Sequence, residues 1–184
     1  RCENALDDFA LTNLSKLLQC QLSEIPIPDF EKSKELKAIV GFNSFGSLIW
    51  SNKKNSGIDV PILFIGGTFD LITPLVSEQF KLFLANESNE LNRFLIVEGA
   101  SHFSPIRVEN KNLSEIKSSD VFKIKENLIG INPYEFQNFT LQIIIQFLND
   151  LQKKEGLKVV QKQKIDNLNF HILGEKELKI IFSN

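Results

Sequence analysis

Apolar residues along this chain come in short unbroken runs separated by stretches with helical spacing. Val60–Ile65 (VPILFI), Arg93–Val97 (RFLIV) and Lys37–Phe42 (KAIVGF) are each long enough for a strand and too short for a buried helix. A run that is apolar at nearly every position suits a strand covered on both faces, so the KAIVGF segment is expected to be buried on both sides. Thr73 and Pro74 predict a helix start, with Thr73 as N-cap and Pro74 in the first turn. Val76, Phe80, Phe83 and Leu84 then give that helix one apolar face up to about Asn86. Asn132-Pro133-Tyr134-Glu135 reads as a capping box that opens a helix through Lys154, stopped near Gly156. Its apolar positions are Phe139, Ile143, Ile144, Phe147, Leu148 and Leu151.

Flanking segments are less regular. Residues 4–20 carry Leu6, Phe9, Leu11, Leu14, Leu17 and Leu18 at amphipathic helical spacing. Ser23–Asp29 holds two prolines and predicts an extended loop, and Ser51–Gly57 is a polar linker. Ser104–Gly130 is long and polar for a connection. The tail 157–184 alternates in places and predicts a hairpin or an edge strand.

Strand, helix, strand, helix in this order predicts an α/β fold, a mainly parallel sheet with crossover helices. Ligands of such sheets bind beyond the carboxyl ends of the strands. The turns at 41–47, 66–70 and 99–103 would all lie on that edge. At 184 residues there is room for one ordinary domain, taken as residues 1–156, with 157–184 as a tail.

Composition narrows the partners. With 42% hydrophobic and 24% charged residues the chain is of globular type, and a net charge of -2 gives no reason to expect nucleic acid. No apolar run approaches the roughly 20 residues that span a bilayer. The two cysteines, Cys2 and Cys20, form no framework or metal-ligand pattern, so free thiols are the favoured state and no metal or cofactor is implied. Oligomeric state and compartment stay open.

Two strand-ends carry the candidate chemistry. One runs Val60-Pro-Ile-Leu-Phe-Ile-Gly-Gly-Thr-Phe-Asp70, the other Arg93-Phe-Leu-Ile-Val-Glu-Gly-Ala-Ser-His102-Phe103. Each is an apolar strand that enters a glycine turn and then presents one ionisable group. An acid and an imidazole so placed suit the orienting and proton-transferring members of a hydrolytic triad. Asp70 also suits a plain structural role, as a turn carboxylate receiving the amides near Thr73, and His102 that of a satisfied loop histidine.

With Leu71-Ile-Thr-Pro74 added, these blocks resemble the acid and histidine blocks of α/β-hydrolases, most similar to the dienelactone-hydrolase and platelet-activating-factor acetylhydrolase-like group. Lys37–Ser47 (KAIVGFNSFGS) resembles the strand and loop before the acid block, and the helix at 133–154 resembles the last helix of that fold. The resemblance implies a partial α/β-hydrolase fold, serine-type chemistry on ester or related acyl small molecules, Asp70 as acid and His102 as base.

The pattern departs at the nucleophile. No Gly-x-Ser-x-Gly elbow occurs in the chain. Ser44 is the nearest imitation, but Phe42 stands where the tight turn needs a small residue. Ser101, beside His102, is expected to be structural, and His171 an ordinary strand histidine. The chain starts at Arg1 and contains no methionine, so the nucleophile and oxyanion donors are expected upstream of it. By itself the 184-residue piece is then expected to be inactive. Phe42, Phe45, Phe69 and Phe103 fall on the three strand-end turns and are candidate walls of an apolar substrate pocket. The alternative is an α/β-hydrolase-like binding or scaffold protein without catalysis.

Overall fold

The computed structural model describes residues 14–22, 33–46, 59–86, 89–106 and 130–183. Helical residues expected before Leu14, the proline loop 23–29, the linker 51–57 and most of the polar connection after Ser104 lie outside them. The described elements are α1 (Leu14–Leu22), β1 (Ile39–Phe42), β2 (Ile62–Gly67), a π-helical turn (Leu75–Gln79) running into α2 (Phe80–Leu84), β3 (Arg93–Val97), α3 (Pro133–Gln152), β4 (Val160–Ile165), β5 (Leu168–Leu173) and α4 (Glu175–Ser183).

The strands form one mixed sheet in the order β1-β2-β3-β5-β4, an α/β arrangement. β1, β2 and β3 are parallel, with Ile39 opposite Ile62 and Phe64 opposite Phe94. β5 then runs antiparallel to β3, and β4 antiparallel to β5. The three parallel strands therefore end on one edge, which is where residues 43–46, 68–70 and 99–103 lie.

The central strands are apolar throughout because both their faces are covered. Leu63, Ile65, Leu95 and Val97 pack on one face with Phe136, Phe139, Ile143 and Phe147 of α3. Ile62, Phe64, Phe94 and Ile96 pack on the other with Phe80, Leu82 and Phe83 of α2 and Leu178 of α4. Phe94 is the hub of that second layer. Its ring meets Phe80 at 4.9 Å and Phe83 at 5.6 Å between centroids, both edge-on, a geometry favoured by the ring quadrupoles.

Several expectations need correction. β1 is not buried on both faces: three of its residues are half-buried and Phe42 is exposed. Among the described residues its only strand partner is β2, so it is an edge strand. Val76 is exposed rather than part of the apolar face, since it lies within the π-turn, where α-helical spacing does not hold. Leu148 likewise points away from the core that Phe147 enters. Thr73 does not cap the helix. Pro74 precedes the π-turn without a side-chain cap, and the Thr73 hydroxyl bonds the Asp70 carboxylate instead, an interaction strengthened by the charge. Cys20 is not a free thiol but is disulfide-bonded, and Cys2 is the only other cysteine in the sequence. Residue counts carry no distance, which is why the pairing was not apparent.

The tail forms the β4–β5 hairpin and, unanticipated, α4. Its start was marked by Gly174-Glu175-Lys176-Glu177: the Glu177 carboxylate accepts the Gly174 amide at 2.9 Å, half of a capping box. α3 begins as its sequence predicts, with the Asn132 side chain accepting the Tyr134 amide at 2.9 Å.

Phe94→Ala is expected to lower the unfolding free energy by about 3–5 kcal/mol in urea denaturation, because a fully buried ring is removed. Leu148→Ala, on the exposed side of α3, should change it by less than about 0.5 kcal/mol.

Candidate active site

The site begins with two strand-ends that approach each other unusually closely. Gly67 lies opposite Val97 in register. Past it, the Thr68 amide donates to Val97 O at 3.2 Å and the Phe69 amide to Ala100 O at 2.9 Å. The Gly99 amide returns a bond to Thr68 Oγ1 at 2.9 Å. A Cβ on Gly67 would stand 2.0 Å from the Ala100 carbonyl oxygen, so only glycine allows this crossing. Gly99 takes φ +80° in the turn that leads from β3 to His102.

Those turns deliver Asp70 and His102 to one point. His102 Nδ1 lies 3.2 Å from Asp70 Oδ1 and 3.1 Å from Oδ2. The carboxylate is fully buried, and an ion there is stable only if its oxygens are satisfied. Oδ1 accepts the amides of Ile72 at 3.0 Å and Thr73 at 2.7 Å. Oδ2 accepts the Thr73 hydroxyl at 2.7 Å and the Gln79 amide nitrogen at 3.2 Å. Asp70 is thus both the turn carboxylate and the histidine partner. The two roles considered for it are compatible.

An ionised carboxylate only accepts, so its contact with Nδ1 places the ring proton there and leaves Nε2 as the basic nitrogen. Nε2 makes no hydrogen bond among the described residues, and the ring faces an open cleft of about 770 Å³. Ile39, Phe42, Phe45, Phe64, Leu82 and Ile106 supply most of the apolar wall. The Phe103 ring stands edge-on to the imidazole at 5.8 Å between centroids, but is not part of that wall. Phe69 is 61% exposed and also lies off it. Phe42 and Phe45 are therefore the two strand-end phenylalanines that share the cleft with His102.

Ser44 also lines the cleft. Ser101 is buried and structural: its hydroxyl accepts the Phe103 amide at 3.2 Å, while its own amide donates to Ser104 Oγ at 2.9 Å.

Three residues of the site were not singled out from sequence. Asn43 ends β1 with φ 46°, a left-handed conformation that asparagine tolerates better than most residues. Its Nδ2 donates to His102 O at 2.9 Å, which ties the end of β1 to the His102 turn, and its carbonyl oxygen lies 3.1 Å from Thr73 Oγ1. Thr73 was read only as a cap, and Gln79 was given no role. An isolated asparagine after an apolar strand was the available signal for Asn43. Gln79, just ahead of Phe80, carried none.

A second acid–histidine contact lies nearby. His171 Nε2 is 2.8 Å from Glu98 Oε1, and Lys162 Nζ is 3.1 Å from the same oxygen. His171 Nδ1 also contacts the Gln161 carbonyl oxygen. Both ring nitrogens of His171 are thus engaged, and the glutamate is only partly buried. This arrangement is a solvated ion-pair cluster that ties the hairpin to β3. By contrast, His102 has a buried, fully bonded acid behind it and a vacant basic nitrogen in front. The hydrogen bond from His171, followed by Lys162, holds the Glu98 carboxyl below its ordinary value of 4.5.

No group of three metal-ligating side chains is present among the described residues. No described helix is long and apolar enough to cross a membrane. No family model matches the chain, and no curated protein matches it.

Because the Glu98 value is depressed in the folded state, its stabilisation is complete above pH 4.5 and fades as pH falls through the folded value. Glu98→Gln should therefore melt slightly below wild type near neutral pH, and the two melting curves should converge as the solution is acidified well below pH 4.5.

Proposed function

We propose that this chain is the C-terminal part of an α/β-hydrolase domain from a serine-type hydrolase of carboxylic esters or related acyl compounds. The observation that carries this reading is the pairing of buried Asp70 with His102 Nδ1 while Nε2 stays unbonded beside an apolar cleft. That is the polarity a general base requires, with proton and orienting carboxylate on one side of the ring and a lone pair on the other. The resemblance of the Asp70 and His102 blocks to those of α/β-hydrolases, and the parallel order β1-β2-β3, support the same reading.

The serine lies upstream of Arg1 in this reading. In that fold the nucleophile precedes the acid in chain order, and the edge of β1 beside the cleft, unpaired among the described strands, can pair with another parallel strand. A turn at the carboxyl end of such a strand would fall on the same edge as His102. The serine Oγ then attacks the acyl carbon as Nε2 takes its proton. The tetrahedral intermediate collapses, His102 returns the proton to the leaving alkoxide, and an acyl-serine forms. Water attacks that ester with His102 again as base, and the proton finally returns to the serine. Asp70 stays ionised throughout, fixing the tautomer and stabilising the imidazolium. The apolar wall around His102 suits a hydrophobic acyl or alcohol portion.

In the full-length protein, turnover of p-nitrophenyl esters should fall by about 10²–10⁴-fold in His102→Ala and in Asp70→Asn. Rates equal to wild type in His102→Ala would overturn the assignment. A folded wild type that binds esters without cleaving them would favour the non-catalytic alternative.

A further inference from the structure

The helix after Asp70 starts with a turn that is one residue too wide. The Gln79 amide reaches Pro74 O at 3.4 Å, five residues back, and the Glu78 amide reaches the same oxygen at 3.0 Å. A π-turn of this kind is an uncommon interruption that recurs at functional sites. It turns two consecutive polar residues, Glu78 and Gln79, inward, and both have zero exposure. Glu78 accepts the Gln19 amide of α1 at 2.8 Å. Gln79 is directed the other way, into the site.

Its Nε2 donates to Thr73 O at 2.7 Å and to Asp70 Oδ2 at 3.2 Å. Both partners can only accept, so the orientation of the amide is determined. Gln79 Oε1 is buried and has no hydrogen-bond partner among the described residues. A methionine of similar length would fill the space without burying that unpaired oxygen. What the glutamine adds is its pair of N–H groups, and one of them points at the acid of the pair. Gly66 leaves it room, since a Cβ there would lie 2.2 Å from Gln79 Oε1.

We propose that Gln79 is a positioning residue that holds Asp70 Oδ2 in line with His102 Nδ1, with the π-turn as the backbone device that aims it. This rests on the hydrolase reading of the Asp70–His102 pair. The Thr73 hydroxyl at 2.7 Å and Gln79 together fix Oδ2, and the Gln79 bond to Thr73 O braces the two ends of the 70–79 segment. Without it, Oδ2 keeps one donor besides the imidazole while Oδ1 keeps its two amides, so the hold on the oxygen that faces Nδ1 is loosened. The imidazole then has a less precisely placed partner in unchanged surroundings.

The test is Gln79→Met in the full-length protein, read two ways. The far-downfield proton resonance of His102 Nδ1–H, assigned by its loss in His102→Ala, should move upfield and broaden. In ester turnover, kcat should fall about tenfold or more at unchanged KM, the signature of misorientation rather than lost binding. Gln79→Glu supplies the rescue arm: its protonated carboxyl still donates to Oδ2, so activity should approach wild type in acid and drop more steeply than wild type as pH rises. A folded Gln79→Met with lower stability but unchanged resonance and kcat would show a merely structural residue and overturn the proposal. If Gln79→Met fails to fold, Gly66→Ala displaces the same amide with its polar groups retained, and an unmoved His102 resonance there would overturn it equally. A resonance that responds to Gln79 in a protein that cleaves no ester would support the positioning while sinking the hydrolase reading. Ester cleavage indifferent to Gln79 would do the reverse.

Discussion

The carboxylate of Asp70 is a buried ion, and the surrounding structure is organised by the need to satisfy it. In a low-dielectric interior an unpaired carboxylate costs several kcal/mol, so four donors besides the imidazole converge on it. The Thr73 hydroxyl is thereby diverted from capping, and the following helix starts with a widened turn. The crossing at Gly67 brings the turn after β3 close enough for His102 to join the ring of donors. What results is a charge held in one place, with an imidazole bonded on one side and accessible on the other.

That placement depends on a stiff frame. β2 and β3 are buried on both faces, clamped by α3 on one side and by the phenylalanine cluster around Phe94 on the other. Such packing fixes the carboxyl ends of both strands to within the tolerance a hydrogen bond demands. The β4–β5 hairpin extends the sheet beyond β3, and the Glu98–His171–Lys162 cluster joins it to the strand-end from which His102 departs. On the opposite side β1 is the edge among the described strands, and the cleft opens there. The stiff part of the molecule therefore carries Asp70 and His102, while the cleft opens beside β1.

The strands and the long helix were legible because their signals are local. Continuous apolar runs at 62–65 and 94–97 became the central strands, and Asn132 capped α3 as its sequence implies. Asp70 and His102 were legible because each follows a strand and a glycine turn, and the parallel order places such turns together. Covering by other elements left no local trace. KAIVGF has the composition of a central strand, yet β1 lies on the edge with Phe42 exposed. Thr73 carries the cap signal, but a buried charge three residues away claimed its hydroxyl. Gln79 was invisible because the π-turn that points it inward breaks the periodicity from which helix faces are read. Asn43 and the Cys20 disulfide depend on contacts across the chain, which spacing does not report.

The central claim is that His102 and Asp70 serve a nucleophilic serine outside the described residues. A fluorophosphonate probe reacts with a serine only when an adjacent base has activated it. The account predicts stoichiometric labelling of the full-length protein on a single serine upstream of Arg1, abolished by His102→Ala. No adduct on the folded protein, an adduct on Ser44, or labelling indifferent to His102 would contradict it.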